Sequence, residues 1–280
     1  MAPFAVTALV LILARWLTEL WLSRINQRHV FAHAAAVPEP FRGVIDEATY
    51  RKSVDYTLAK ARFGNLADFY DLIVLLVVLF SGVLPWAFAQ ALQHWGNSIW
   101  TLAGFLLVVG LALSLPSLPL DWYAQFKLEE RFGFNTTTMK TWLLDRVKGG
   151  ALAVLLGLPL LVLVLKVVVW TGANWWLWAW AIIVTFQFVL MLVAPALIMP
   201  LFNKFTPLAA GELRERLFAL AQRTGFPTRA IDVMDGSKRS RHSNAFFTGF
   251  GRFRKIVLFD TLMDQLLESE LAAVLAQEPW

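Results

Sequence analysis

The chain contains no cysteine. Disulfides and cysteine-ligated metal centres are therefore excluded, although this does not fix the redox compartment. No lysine or arginine precedes the first apolar run, residues 4–22, and Ala32-His33-Ala34 lies too far past it to act as its cleavage signal. That run reads as a retained signal anchor rather than a removed signal peptide. The formal charge of +5 comes without a basic helix or an aromatic RNA-binding motif, so no nucleic acid is expected as a partner. No pair of broken apolar repeats marks a transporter. Only Arg15 and Lys166, inside apolar runs, point that way.

Hydrophobic residues make up 58% of the 280 positions and collect in long runs at 4–22, 72–89, 99–120, 151–170 and 175–202. Each is long enough to cross the ~30 Å hydrocarbon core of a bilayer as a helix. The expected fold is mostly α, a multi-span transmembrane helical bundle of five spans with a small cytosolic α+β subdomain. The transmembrane region takes residues 1–202, with cytosolic loops at 23–71 and 121–148, and the subdomain takes 203–280.

Charge placement orients the bundle. Apart from Arg15 and Lys166, every Lys and Arg lies in the first loop, the third loop or the segment after Phe202, while the short loops near Trp95 and Gly172 have none. The positive-inside rule puts the N-terminus outside and the C-terminal region in the cytoplasm, in an assignment to a bacterial inner (plasma) membrane. Trp170, Trp175, Trp176, Trp178 and Trp180 flank one uncharged loop, and Trp86, Trp95 and Trp100 the other, as an interfacial aromatic belt does. A carbohydrate or cofactor platform is the alternative.

Charges within apolar runs are costly, at ~2.5–3.5 kcal/mol each on insertion scales. Arg15 and Glu19, at i and i+4, either face each other, another helix or water, or snorkel to the headgroups. Lys166 snorkels from near the end of its run. Residues 46–62 have helical character, with Tyr50, Val54, Leu58 and Ala61 on one face, and read as a surface helix. Glu129-Glu130 is either an acid/base pair or a structural pair neutralised by Lys127 and Arg131. His94 reads as an interfacial residue.

The region after Phe202 changes pattern. Asn203 to Pro207 is a short linker, residues 211–224 form an amphipathic helix with Leu213, Leu217, Leu220 and Ala221 on one face, and residues 231–234 form a strand. The aromatic run 242–251 and the β-branched run 254–260 read as a hairpin. Ser269 then caps a helix carrying Glu270, Leu271, Val274 and Leu275. This last helix is where a gluzincin-type protease would carry H-E-x-x-H, two imidazoles one turn apart.

Several motifs resemble the type 1 CAAX prenyl proteases, a family of multi-span membrane zinc metalloendopeptidases. They are Asp235-Gly236-Ser237-Lys238-Arg239-Ser240, then His242-Ser243-Asn244-Ala245-Phe246-Phe247-Thr248-Gly249-Phe250-Gly251, and Ile256-Val257-Leu258-Phe259-Asp260-Thr261-Leu262. Upstream, Glu129-Glu130-Arg131-Phe132-Gly133-Phe134-Asn135 and Lys52-Ser53-x-x-Tyr56-x-x-x-Lys60 are similar to the same family. The resemblance implies substrate binding by Asn244 and Ala245 on an edge strand that holds an extended peptide. The reading of Asn244 without it is an Asx-type turn residue. His242 reads as a surface residue, with a ligand or acid role as the lesser alternative.

The same resemblance puts Gln277 at the first zinc-histidine position and matches Glu278 to the general-base glutamate. Pro279-Trp280 replaces the residues leading to the second histidine, and the distant glutamate ligand is missing too. Zinc is the family's cofactor, yet none is expected to bind stably to this chain. A neutral glutamine amide is a weak zinc ligand beside imidazole or carboxylate. The expected protein is a metalloendopeptidase of this lineage, cut within its zinc helix and inactive alone, that acts near the C-terminus of prenylated or membrane-associated substrates. The alternative is a non-catalytic peptide-binding or regulatory pseudoprotease. The lipid bilayer and an extended peptide are the expected partners. For the topology, reporter fusions in the Trp95 and Gly172 loops are expected to report an extracytoplasmic location, and a cytoplasmic signal there would reverse the orientation.

Overall fold

The computed structural model describes residues 3–223, 228–249, 254–267 and 270–271. It divides into two compact units, Met1–Phe132 and Gly133–Trp280. The long elements of the first unit, among the described residues, are all helices. The unit contains α1 (Pro3–Ala32), α2 (Glu47–Phe80), α3 (Val83–Trp95), α4 (Ile99–Ser114) and α5 (Leu118–Tyr123), which continues through a π turn, Ala124–Glu129, into α6 (Glu130–Phe132).

Helix α2 starts where its first free N–H groups find an acceptor. The Asp46 carboxylate accepts from Thr49 N at 2.9 Å and from Thr49 Oγ1 at 2.6 Å, an N-cap worth about 1 kcal/mol in such positions. The hydroxyl bond, then the amide bond, holds the Asp46 carboxyl below its ordinary range. Trp16 of α1 packs on Phe69 of α2 with ring centroids 5.7 Å apart. Arg15 and Glu19 pair at 2.9 Å along α1, which is the first of the alternatives their spacing allows.

The second apolar run is corrected here. The expected span at 72–89 is broken at Ser81 and Gly82, and Gly82 takes the left-handed φ of 81° that glycine adopts without a Cβ clash. The crossing helix is instead the far half of the 34-residue α2. The separate surface helix expected at 46–62 is the first half of the same helix. Helix α3, 13 residues long, rises only ~20 Å and packs on α4 through Phe88 and Phe105, with centroids 5.1 Å apart.

The second unit begins with α7 (Met139–Trp170), capped by Thr138 Oγ1 accepting from Thr141 N at 3.2 Å. Then come α8 (Trp175–Val193), a π turn at Ala194–Ile198, and α9 (Met199–Phe202). Pro195 lacks an N–H and crowds the turn before it, and the helix accommodates it with the wider π geometry. Five helices among the described residues are long and apolar enough to cross a membrane: Pro3–Ala32, Glu47–Phe80, Ile99–Phe132, Met139–Trp170 and Gly172–Phe202. Lys166 sits 5.7 Å from the Trp170 ring centroid, so its charge meets an aromatic face at the helix end.

Beyond α9 lie β1 (Phe205–Pro207), α10 (Glu212–Arg223), β2 (Ala230–Met234), β3 (Ala245–Thr248), β4 (Lys255–Phe259) and α11 (Asp260–Gln265). The sheet order is β1-β2-β4-β3, parallel between β2 and β4 and antiparallel elsewhere. Leu217 and Ala221, one turn apart on α10, pack against Ile231, Ile256 and Leu258 of the sheet and Leu262 of α11. The expected linker at 203–207 thus contains an edge strand, and the expected helix–strand–hairpin–helix order gains α11. The helix expected to start at Ser269 falls mostly outside the described residues. Leu258 is fully buried, so Leu258→Ala is expected to lower the stability of the second unit by about 2–5 kcal/mol, read as a shift in its denaturant midpoint.

Candidate functional site

The segment between β2 and β3 has little regular structure, yet it is held on three sides. Arg239 makes a bidentate pair with Asp145 of α7, Nε to Oδ2 at 2.8 Å and Nη2 to Oδ1 at 3.0 Å. The same guanidinium donates to Asn203 Oδ1 at 2.6 Å and to the Phe202 carbonyl at 2.6 Å. A planar fork of five donors is suited to this, because it can serve several acceptors in one plane. Phe202 ends α9, so its carbonyl has no acceptor role within the helix and takes the cation instead.

A second chain segment lines the turn. Thr136 N and Thr137 Oγ1 both donate to the Arg239 carbonyl, at 3.3 and 2.8 Å, and Arg241 N donates to the Phe134 carbonyl at 2.9 Å. Asn135 and Ser240 form an antiparallel bridge. Two stretches about a hundred residues apart in sequence, both singled out by their motifs, are therefore paired. The third hold is Asp260, which accepts from Ser237 N at 2.8 Å and from the Ser237 hydroxyl. Gly236 permits this, because a Cβ there would come within 2.5 Å of the Phe259 ring.

Held this way, the chain enters β3 at the edge of the sheet. Phe259 N donates to the Asn244 carbonyl at 3.0 Å, so Asn244 and Phe259 form a hydrogen-bonded antiparallel pair. The alternation of such a ladder then turns the main-chain groups of Ala245 and Phe247 away from β4. The Asn244 side chain caps this outer edge, its Oδ1 accepting from Ala245 N at 2.9 Å. The two expected substrate-contact residues are therefore adjacent at the sheet edge, and the Asn244 side chain bonds the next residue's N–H rather than the one two residues on that an Asx turn requires.

His242 stacks on Phe134, with centroids 4.2 Å apart at 20°, and its carbonyl accepts from Thr261 Oγ1 at 3.0 Å. It precedes β3 rather than belonging to a strand. Among the described residues no group of three or more His, Cys, Asp and Glu is placed to hold a metal ion. Gln277 and Glu278 lie outside the described residues.

In the first unit, Glu129 is corrected. Lys127 and Arg131, its expected partners, lie against rings instead, 5.9 Å from the Trp122 centroid and 5.6 Å from that of Phe132. Glu129 accepts from the Tyr56 hydroxyl at 2.7 Å and stands 4.0 Å from Lys60 Nζ. The π turn carrying Glu129 thus joins the Tyr56 and Lys60 motif to the Glu129 motif. His94 lies at the end of α3 with Nδ1 2.8 Å from the Gln90 carbonyl.

Neither Arg239, inside its motif, nor Asp145, the acid of α7 that meets it, stands out by residue pattern. A lone carboxylate in the first turns of a largely apolar helix was the available signal. Arg239→Ala is expected to destabilise the second unit by on the order of 2 kcal/mol, less than the 3–5 of a fully buried pair because each side chain stays partly exposed. Asp145→Ala should then add little in the Arg239→Ala background, which a double-mutant cycle of thermal midpoints checks.

Two family models match the chain: the CAAX prenyl protease N-terminal family with five membrane helices, over residues 26–204, and peptidase family M48, over residues 207–279. The chain is 41% identical to CAAX prenyl protease 1 of Saccharomyces cerevisiae over 255 residues, 86% of this chain and 56% of that protein. It is 35% identical to the CAAX prenyl protease 1 homolog of Arabidopsis thaliana, covering 99% of this chain and 66% of the relative. The crystal structure of S. mikatae Ste24p is similar with a TM-score of 0.90 and 35% identity, over 98% of this chain and 66% of that one. The chain thus spans between about half and two thirds of the length of these relatives. Peptidase family M48 implies zinc and peptide substrates. A mostly helical multi-pass membrane protein with a small mixed sheet, this chain belongs to the CAAX prenyl protease 1 family of M48 metalloendopeptidases.

Proposed function

We propose that the second unit lays an extended peptide along β3, as part of a membrane metalloendopeptidase that cleaves near the C-terminus of prenylated or other membrane-associated substrates. The observation that carries this is the outward-facing edge of β3 at Ala245. A strand added there gains main-chain hydrogen bonds, which hold a peptide extended whatever its side chains. Asn244 sits at the entry to that edge and would exchange its local bond to Ala245 N for one to the peptide. Arg239 and Asp145 act at a distance, fixing the turn that delivers β3. The proposed orientation places this unit in the cytoplasm, supported by the Lys and Arg distribution.

The polypeptide Met1–Trp280 taken alone is proposed to hold zinc poorly and to be inactive. The support is the residue at 277, where an amide stands in the position of an imidazole. Glu278 matches the general base but needs a metal centre beside it to act. Zinc held in the family's site would supply Lewis-acid polarisation of a scissile carbonyl. The second reading, a peptide-binding pseudoprotease, shares the β3 edge and differs only in cleavage.

Metal analysis of the purified polypeptide is expected to find zinc well below one ion per chain. Chelator-sensitive cleavage of a prenylated peptide by this polypeptide would overturn the inactive reading. A photoreactive peptide is expected to crosslink at Asn244 and Ala245 without being cut, and Ala245→Pro is expected to abolish the crosslink. Proline is tolerated at a sheet edge whose N–H faces outward, so β3 keeps its bonds to β4. Crosslinking that survives Ala245→Pro would remove the edge from the binding site.

A further inference from the structure

Strands β2 and β4 present two chemically different faces. Ile231, Ile256 and Leu258 point into the core under α10. The alternate residues Ala230, Asp232, Lys255 and Val257 border a cavity of about 1110 Å³ on the opposite face. The other wall of this cavity is the end of the last apolar helix, through Leu192, Pro195, Ala196 and Met199. Between the two walls the chain leaves the helix at Asn203, Lys204 and Phe205. One side is therefore hydrocarbon and continuous with a membrane-crossing helix, and the other is polar sheet.

Charge on the polar side is unbalanced. Lys204, Arg229 and Lys255 border the cavity with Asp232 as the carboxylate among its lining residues. Asp232 is 9% exposed and is committed to Lys255, whose Nζ lies 3.0 Å from its Oδ2. Among the described residues neither the Lys204 ammonium nor the Arg229 guanidinium meets a carboxylate. Both cations are exposed, Lys204 just past the end of α9 and Arg229 just before β2.

We propose that this cavity binds an anionic phospholipid drawn from the adjoining leaflet. Its acyl chains lie against Leu192, Pro195, Ala196 and Met199, and its anionic headgroup lies along the rim that Lys204 and Arg229 border. A soluble anion would leave the apolar wall uncovered, and a neutral lipid would offer the Lys204 and Arg229 side chains no anion. The volume exceeds the ~300–1,000 Å³ of pockets for drug-sized ligands, which suits a lipid headgroup with the upper part of its chains. The site is built within the second unit and uses the sheet face, so it does not rest on peptide binding at the β3 edge.

The test is native mass spectrometry of the full chain extracted from nanodiscs of phosphatidylcholine containing a minor fraction of phosphatidylserine. One phosphatidylserine is expected to remain bound in preference to phosphatidylcholine. Lys204→Ala and Arg229→Ala are each expected to reduce that retention about fivefold, the worth of one basic residue at an anionic surface. Lys204→Arg should keep it, which separates lost charge from lost folding. Ala196→Trp should expel the lipid with no change of charge, by filling the apolar wall. Arg214→Ala removes a cation on α10, which contributes nothing to the cavity lining, and should leave retention unchanged. Equal retention of both lipids, an equal loss in Arg214→Ala, or unaltered retention in Ala196→Trp would overturn the proposal. So would displacement by glycerol phosphate, because a headgroup without tails would then suffice.

Discussion

The second unit depends on one guanidinium. Arg239 joins the turn before β3 to α7 through Asp145, and to the end of α9 through Phe202 and Asn203. Three elements are brought into register by charge-assisted bonds, which are short and directional. Lys148 reinforces the same helix end by donating to the Leu201 carbonyl at 2.7 Å. The last carbonyls of α9 would otherwise lack partners, and two cations reaching them also oppose the negative end of the helix dipole. An ammonium in place of Arg239 would hold a carboxylate but not a second acceptor set in the same plane.

With that turn fixed, the sheet is used on both faces and at its edge. One face closes the small core with α10 and α11. The other meets the end of the last apolar helix across a cavity with a cationic rim. The β3 edge carries Ala245, whose N–H is held by its own neighbour's side chain rather than by another strand. Such a local cap blunts a sheet edge, which is otherwise a liability. On the proposed function, the Asn244 side chain would exchange this local bond for one to a peptide.

Much of this was legible without coordinates. Helix α10 declares itself through Leu213, Leu217 and Ala221, because a buried stripe needs apolar residues at three- and four-residue spacing. The apolar runs declare the crossing helices for the similar reason that lipid accepts few charges. The second run misled because composition alone does not tell where a helix breaks. Ser81 and Gly82 sit inside an uninterrupted apolar stretch, and only the left-handed turn at Gly82 divides it. Strand β1 was hidden because three residues ending in Pro207 carry no alternation to read. Glu129 was paired with its chain neighbours, whereas the π turn aims it at Tyr56, seventy-three residues away.

The class of protein follows from residue type and order alone: runs too apolar for water, cations confined to alternate loops, and a string of motifs in a family's order. These are properties of residue type and spacing, and they survive without knowing what touches what. It took the folded chain to bring the Phe134 and Arg239 segments side by side, to make Asp145 the partner of Arg239, and to set β3 as the outer strand with Ala245 turned outward. Those facts depend on which distant residues meet, and pairing across a hundred residues leaves no periodic trace in the chain that makes it.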